Sequence, residues 1–242
     1  MWLVLADTGD DAAVWAAQRL PQRGVHPLRL VSGYELTTGT TWDHRIERNG
    51  ARTRLRFSDG LTVDDTQLRG VINRLSGVFV PPAGVSAGDS EYAACERNAL
   101  LLSWLVSLQC PVLNRPNPAS GPGGYRSLGA WRQLAQRAGL HILPLVQSDI
   151  SDRAENGSED DAGQQRTVFV VAGHLVTDGD RDWDEATEAG CARLSRLAGQ
   201  AVLAIQFTCL PGQAPLFCSA TQQGDLRLGG PPLLDLLADA LT

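Results

Sequence analysis

Apolar and polar positions in the first thirty residues follow the order of a strand, a helix and a second strand. Residues 2–6 form an unbroken apolar run, which predicts a buried strand. Residues 10–20 have helical spacing, with an apolar face formed by Ala13, Val14, Ala17 and Leu20. Residues 25–30 predict the second strand. This β-α-β order indicates an α/β layer with parallel pairing.

The pattern continues with a hairpin, a long helix and two short strands. Residues 52–63 alternate around Ser58-Asp59-Gly60, which predicts a β-hairpin, and residues 71–73 predict a short strand. A strand at residues 110–113 ends at Asn114-Arg115-Pro116, because proline cannot donate to a ladder. The longest helix is predicted at residues 89–108, with an apolar side formed by Tyr92, Cys95, Ala99, Leu102, Trp104 and Leu105.

The second half alternates strands and helices around one acidic interruption. A helix at residues 127–138 ends at Gly139, and a strand follows at 141–146. Residues 147–165 are acidic and predict a solvated, flexible loop. Further strands are predicted at 167–171, 175–176, 201–207 and 214–217. Helices are predicted at 183–197, with Gly199 as its stop, and at 232–241. We therefore expect segments 1–146, 147–165 and 166–242.

Composition excludes several classes of protein. The chain of 242 residues has a formal charge of −6 and 43% hydrophobic residues, so it can fill a core but lacks the basic face that nucleic acids require. No apolar run is long enough to span a membrane, and the N-terminus lacks the basic start of a signal peptide, so we expect a cytoplasmic protein. The odd number of cysteines indicates no disulfide framework or zinc knuckle, and most should be small core residues: Cys95, Cys110, Cys191, Cys209 and Cys218.

Lysine is absent from the chain, and all 21 basic residues are arginines. Sites that clamp a triphosphate usually use lysine, whose compact ammonium is not simply replaced by the planar guanidinium of arginine. A coding sequence rich in G and C would produce the same replacement. In either case no lysine is available to hold a nucleotide.

Other groups of polar residues have simpler interpretations than a catalytic site. The acidic residues of 147–165 lack EF-hand spacing, and those at 178–185 precede a helix, where they favour its N-terminal dipole. Gly121-Pro122-Gly123-Gly124 lacks the ending of a P-loop. The histidines are too far apart in sequence to indicate a metal site and are expected to be structural: His26, His44, His141 and His174.

Several motifs resemble the ATP-grasp superfamily, in particular the ribosomal-protein-modifying and graspetide (microviridin-type) peptide ligases, in truncated and degenerate form. In the first half they are Val71-Ile72-Asn73-Arg74, Ser90-Glu91-Tyr92-Ala93-Ala94-Cys95-Glu96 and Trp104-Leu105-Val106-Ser107-Leu108-Gln109-Cys110-Pro111-Val112-Leu113-Asn114-Arg115-Pro116. In the second half they are the stretches 131–140, 201–207, 217–221 and 229–237. The resemblance covers most of residues 1–148 and 166–242.

This resemblance implies an α/β fold with a pre-ATP-grasp-like N-terminal domain and a reduced, ATP-grasp-like α+β C-terminal portion. It places Arg74, Arg115 and Arg126 near the mouth of the pre-grasp cleft, where guanidiniums can hold a carboxylate or a phosphate. Glu91 and Asn114 are further candidates for binding in the cleft. The alternative is that these arginines fasten loops by bonding carbonyls and surface acids.

The departures from the family concern the nucleotide site. The short acidic segment 147–165 stands where the family holds adenine and phosphates. An aspartate and a Glu-x-Asn pair bind magnesium in the family, and the aligned positions here are Gln206, Ser219 and Thr221. Magnesium prefers hard, charged oxygen ligands, and phosphoryl transfer depends on neutralising the phosphate charge.

The sequence therefore favours a pseudo-ligase with no catalytic residues, metal or cofactor. It would bind a precursor peptide, an acidic peptide segment or a partner modification enzyme through the cleft and sheet edges. No nucleic-acid or membrane partner is expected, and a homodimer is left open. One alternative is a reduced but active ATP-dependent carboxylate-amine ligase that uses Arg126, Arg166 or Arg227; another is a thiol- or metal-dependent enzyme with Cys209 and Cys218.

Overall fold

The computed structural model describes residues 1–48, 50–76, 87–116, 126–142, 163–177 and 183–242, which form a mixed α/β architecture. The strands are β1 (Trp2–Ala6), β2 (Leu28–Ser32), β3 (Thr40–Glu47), β4 (Gly50–Phe57), β5 (Thr62–Asp64), β6 (Gly70–Arg74), β7 (Val112–Leu113), β8 (Gln164–Val171), β9 (His174–Thr177), β10 (Val202–Cys209) and β11 (Leu216–Thr221). The helices are α1 (Asp11–Arg19), α2 (Gly33–Thr38), α3 (Ala87–Ser107), α4 (Leu128–Arg137), α5 (Glu185–Ala198) and α6 (Gly230–Asp239). No helix in these ranges is both long and apolar enough to cross a membrane.

The N-terminal half contains a parallel sheet with strand order β2-β1-β6-β7. All five residues of β1 are buried, as expected for a central parallel strand covered on both faces. The predicted β-α-β unit is therefore confirmed, although β2 begins at Leu28, after Pro27, which has no N–H for a ladder. The predicted apolar face of α1 is wrong at Val14, which is 39% exposed. The helix instead approaches the sheet through the smaller side chains of Ala12, Ala13 and Ala16.

A second, antiparallel sheet has the order β3-β4-β5. It contains the predicted hairpin as β4 and β5, while β3 and the short helix α2 were not predicted. Trp42 of β3 donates its indole N–H to the carbonyl of Leu36 at 2.9 Å and packs edge-on against Trp104 of α3. His44 lies between the hydroxyls of Thr53 and Ser103, each at 2.8 Å. These contacts attach β3 to α3.

Among the described side chains of helix α3, those in the core clusters come from its C-terminal half. Leu101, Trp104 and Leu105 are fully buried, in a cluster with residues of the parallel and three-stranded sheets. The predicted apolar side is wrong at Tyr92, which is 69% exposed, and at the exposed Cys95. Tyr92 lies nine residues, two and a half helical turns, before Leu101, and Cys95 lies nine residues before Trp104. Both are therefore on the side of the helix opposite to these buried residues.

The C-terminal sheet is antiparallel, with the order β11-β10-β8-β9. Its inner face packs against α4 and α5 in a core cluster that includes Val168, Ile205, Phe207 and Phe217. Gly139 (φ +79°) and Gly199 (φ +64°) follow these helices in the left-handed conformation, as predicted. Strand β8 begins at Gln164, inside the predicted loop 147–165, of which residues 147–162 lie outside the described part. Residues 143–146 of the predicted strand 141–146 also lie outside it, and Ile142 forms a parallel bridge to Phe217.

The two larger sheets share one apolar core. Val4 and Ile72 of the parallel sheet belong to the same cluster as Phe169 and Ala204 of the C-terminal sheet. Leucines of the last helix and of the turn before it complete this cluster: Leu226, Leu233, Leu234 and Leu237. The halves of the chain are therefore held together by burial of apolar surface as well as by polar contacts.

The turn at Gly224 offers a test of this packing. A Cβ atom added at Gly224 would overlap that of Ala204 and lie 3.2 Å from the ring of Phe169, so Gly224→Ala should destabilise the protein by about 2 kcal/mol. At Gly129 of α4 the nearest heavy atom to an added Cβ is 4.0 Å away, so Gly129→Ala should stabilise the protein by about 0.5 kcal/mol. Urea unfolding measures both changes. Equal effects of the two substitutions would contradict the close packing at Gly224.

Candidate functional site

The outer face of the C-terminal sheet, turned away from α4 and α5, carries the three positions that the resemblance places at metal ligands. Gln206 of β10 lies opposite Ser219 of β11, whereas the next residue, Phe207, lies opposite Phe217. Cys218 is therefore the extra residue of a β-bulge, and both Cys218 and Ser219 are partly exposed. Thr221, two residues beyond Ser219, lies on the same face.

The polar side chains of this face bond to one another. Ser219 Oγ donates to Gln206 Oε1 at 2.6 Å, and Gln165 Nε2 donates to Thr208 Oγ1 at 2.8 Å. Thr208 Oγ1 also lies 3.0 Å from Cys218 Sγ. Thr221 Oγ1 accepts the N–H of Gln223 at 3.1 Å. We name this surface the neutral face, because its members carry amides, hydroxyls and a thiol: Gln165, Gln206, Thr208, Cys218, Ser219 and Thr221.

This set of donors does not fit a magnesium-bound triphosphate. Magnesium is usually held by one or two carboxylates besides phosphate oxygens and water, and the neutral face provides no carboxylate. Ser219 and Gln206 already satisfy each other, so a cation would have to break their hydrogen bond without gaining a charged ligand.

Arg74 lies at the carboxyl end of β6, inside the protein. Its side chain is 3% exposed and forms a bidentate ion pair with Asp10, with nitrogen–oxygen distances of 2.7 and 3.0 Å. Asp10 also caps α1 by accepting the N–H of Ala13 at 2.9 Å. The third contact of Arg74 is the main-chain carbonyl of Gln222 at 3.5 Å. Arg74 thus joins the parallel sheet, α1 and the C-terminal half.

Asn114 makes a second connection between the halves. Its backbone is left-handed (φ +59°), and its side-chain oxygen accepts the N–H of Val202 at 2.8 Å, at the start of β10. The carbonyl of Asn114 accepts the side-chain N–H of Asn73 at 3.0 Å. Since Asn114 is 2% exposed, its amide aligns the end of β7 with β10 from within the core.

Arg115 and Arg126 bond the carbonyls at the ends of helices. Arg115 donates from one nitrogen to the carbonyls of Leu105, Val106 and Leu108 at 2.8–3.0 Å, which closes the end of α3. Arg126 donates to the carbonyl of Ala198 at 2.7 Å, at the end of α5, and its loss of solvent lowers its pKa. Cations stabilise helix C-termini by this interaction.

The predicted cleft residues do not gather at one place in the described part of the chain. Arg74 and Asn114 lie between the halves, Arg115 and Arg126 lie at helix ends, and Glu91 is exposed on the N-terminal half of α3. Only Gln206 and Ser219, from the metal-aligned positions, are in direct contact.

Sequence reasoning missed Asp7, which directly follows the carboxyl end of β1. Asp7 Oδ2 accepts the N–H of Ser76 at 3.0 Å and the side-chain N–H of Gln223 at 3.2 Å. Gln223 also donates to the carbonyl of Arg74 at 3.1 Å. In open parallel sheets this switch point, where the strand order reverses, is the usual ligand crevice. In the sequence, the feature that could have identified Asp7 is its position directly after an apolar strand.

The cysteines do not form a paired thiol site. Cys209 is buried in the core of the inner face, whereas Cys218 projects from the outer face. Burial raises the pKa of Cys191 to about 12, so this thiol is inert at neutral pH. Within the described ranges, no group of three His, Cys, Asp or Glu side chains could hold a metal ion.

No protein-family model and no curated protein matches the sequence. Solved structures do match it over nearly the whole length. The macrocyclase MdnC from Microcystis aeruginosa, solved with its precursor peptide MdnA, has a TM-score of 0.73 at 13% identity, covering 99% of this chain and 98% of the other. MdnB from the same organism gives 0.69 at 16% identity, covering 99% and 98%. A RiPP-associated ATP-grasp ligase from Chryseobacterium gregarium, solved with ADP and a leader and core peptide, gives 0.68 at 11% identity, covering 99% and 96%.

This chain has the ATP-grasp fold. The expected architecture is thereby confirmed, with the parallel sheet in the pre-ATP-grasp position of the sequence and the antiparallel sheet in its C-terminal portion. This chain therefore combines the ATP-grasp fold with a neutral face that carries uncharged side chains. Identities of 11–16% establish the shared fold and leave the activity to be argued from this chain's own residues.

The Asp10–Arg74 pair should be a main determinant of stability. Asp10→Asn keeps the helix cap but removes the counter-charge of a buried guanidinium, so it should cost about 3 kcal/mol. Asp10→Ala also loses the cap and should cost about 1 kcal/mol more. Asp11→Asn, on the exposed side of the same helix turn, is the control, with an expected change below about 0.5 kcal/mol. Urea unfolding that gives the same small change for Asp10→Asn and Asp11→Asn would contradict this role.

Proposed function

We propose that this chain is a non-catalytic, ATP-grasp-like cytoplasmic protein that binds a peptide or a partner enzyme in peptide modification. The observation that carries the proposal is the neutral face. An ATP-grasp fold with amides and hydroxyls at the metal-aligned positions keeps the scaffold of a ligase without the charge needed to hold a metal nucleotide.

The arginines weigh against the alternative of a reduced but active ligase. Arg227 forms a bidentate pair with Asp225, with both distances 2.8 Å. Arg126 is occupied at the end of α5, and Arg166 lies opposite Phe207, on the side of the sheet away from the neutral face. Arg126 and Arg227 are therefore already engaged within the chain, and Arg166 lies on the other face of the sheet from Gln206.

A peptide partner is supported by the similar structures. MdnC is described with a precursor peptide, and the Chryseobacterium ligase with a leader and core peptide. A shared fold does not transfer a substrate, but it provides sheet edges and grooves of the kind that bind extended peptides. We therefore assign this chain a precursor peptide, or an enzyme that modifies one, as its partner.

Nucleotide binding can be tested with a variant that restores the family's ligand set. The resemblance implies Gln206→Asp, Ser219→Glu and Thr221→Asn as the restoring substitutions. We expect titration calorimetry with Mg-ATP to show no binding to the natural chain. The triple variant should bind Mn²⁺ at least about tenfold more tightly than the natural chain, as measured by electron paramagnetic resonance, because carboxylates replace neutral groups.

The control is Gln165→Asp with Thr208→Glu, which adds carboxylates to the same face outside the aligned positions. Tight Mg-ATP binding or phosphate release by the natural chain would overturn the non-catalytic proposal and favour the reduced ligase. Equal Mn²⁺ affinity in the natural chain and the triple variant would show that the neutral face does not limit metal binding.

Peptide binding is tested without nucleotide. An array of synthetic ten-residue peptides, varied in acidic, basic and apolar positions, is probed with the labelled protein, and hits are measured by fluorescence polarisation. We expect binding that does not change on addition of Mg-ATP. A requirement for Mg-ATP would contradict the proposal, as would the absence of both peptide binding and capture of a peptide-modifying enzyme.

A further inference from the structure

Strand β3 is an edge strand with a long unpaired side. Its eight residues pair with β4 and with no other strand in the described part of the chain. Exposure along it is high: 77% for Ile46, and 73% and 51% for the side chains of Arg45 and Asp43. Unpaired main-chain groups on such an edge are a template for another strand.

The main-chain groups that face this open side can be identified. The N–H of Thr53 bonds Asp65 and that of Phe57 bonds the carbonyl of Leu61, so both point away from β3. In an antiparallel pair, two residues that lie opposite each other either both bond across the pair or both point away from it. These two cases alternate along the strands. The even-numbered residues of β3 therefore project their N–H and C=O groups outward: Thr40, Trp42, His44 and Ile46.

The side chains of β3 alternate in character as well as in direction. Asp43, Arg45 and Glu47 line the open face of the sheet, in the order negative, positive, negative. Trp42 and His44 contact the other side, towards α2 and α3, and Ile46 continues that row. The edge thus presents one charged row and one largely apolar row.

We propose that this edge pairs with the same edge of a second copy of the chain, in antiparallel register, with the two-fold axis at His44. Asp43 then lies opposite Arg45 of the second copy, and Arg45 opposite its Asp43. Trp42 lies opposite Ile46 of the second copy on the other face. The two three-stranded sheets form one continuous six-stranded sheet.

This register satisfies both rows at once. One hydrogen-bonded pair lies at the axis and one lies two residues to either side of it. Each pair supplies two main-chain hydrogen bonds, about six in all. The charged pairs occupy the closer, non-hydrogen-bonded positions, where side chains interact most strongly. Moving the axis one residue, to Asp43 or to Arg45, would set like charges against each other. An axis at Ile46 would also set Arg45 opposite Glu47, but it would use only the last residues of β3, which ends at Glu47. The axis at His44 therefore gives the longest self-complementary arrangement.

The charges around Arg45 give a further reason for this partner. Arg45 lies directly opposite Arg52 of β4, and like charges in that position are unfavourable. Asp43 of its own strand is 3.0 Å away, but the pair is exposed to solvent. A carboxylate from the second copy, on the free side of Arg45, offsets the repulsion. The second copy also extends the open depression of about 540 Å³ that Arg45 and Arg52 line.

Contact along a single strand edge is smaller than the roughly 1,600 Å² of a standard stable interface. We therefore expect a weak dimer whose fraction rises with concentration. Sedimentation velocity over roughly a hundredfold range of concentration measures the dissociation constant by mass action.

Two charge reversals provide the decisive test. Asp43→Arg and Arg45→Asp should each weaken the dimer at least about tenfold, because each sets like charges opposite one another. Mixing the two variants should restore association as a heterodimer, since the chain with arginine at both positions would face the chain with aspartate at both. A structural defect in either variant would not be repaired by mixing.

Two further variants control the test. Ile46→Pro removes one outward N–H without breaking a bond to β4, so it should also weaken the dimer at least about tenfold. Arg56→Asp changes an exposed charge on the same sheet, outside the paired segment, and should have no effect. A natural chain that stays monomeric at the highest concentration, a dimer unaffected by these reversals, or a mixture that stays monomeric would overturn the proposal.

Discussion

A guanidinium with almost no access to water must be neutralised by the protein itself, and the structure is arranged around this requirement at Arg74. Its charge is balanced by Asp10, which also fixes the start of α1, and it also donates to a carbonyl of the turn between β11 and the last helix. Removing one partner of such a buried pair costs far more than the pair contributes relative to apolar residues. The pair therefore makes the parallel sheet, the first helix and the C-terminal half depend on one another.

Much of the fold could be predicted because local patterns coincide with tertiary packing. The apolar run of β1, the glycines after α4 and α5 and the hairpin of β4 and β5 are examples. The failures have a common cause: the predicted apolar sides of α1 and α3 include residues that lie off the buried side of the helix. Tyr92 is exposed because it lies half a turn around α3 from Leu101. Strand β3 was missed because only Trp42 and His44 lie inward and its other residues are polar or exposed.

The candidate site was less accessible from sequence than the fold. Gln206 and Ser219 were selected only through a resemblance, and their contact depends on a bulge that no local pattern announces. The arginines illustrate the opposite difficulty. A guanidinium that caps a helix and one that binds an anion are the same residue type, and only the helix carbonyls around Arg115 distinguish them. The neutral face is informative because of its position in the fold, since amides and hydroxyls are ordinary surface groups elsewhere.

The contacts of Gln223 and Asn114 affect how the two halves of the chain can move relative to each other. Gln223 bonds the strand ends of the parallel sheet, and Asn114 bonds the first residue of β10 from within the core. Hinge opening between the two halves would break these bonds together and expose the apolar core they share. Opening the halves would therefore cost more free energy than a hinge between separately packed domains, and a ligand that binds across them meets side chains already held in place.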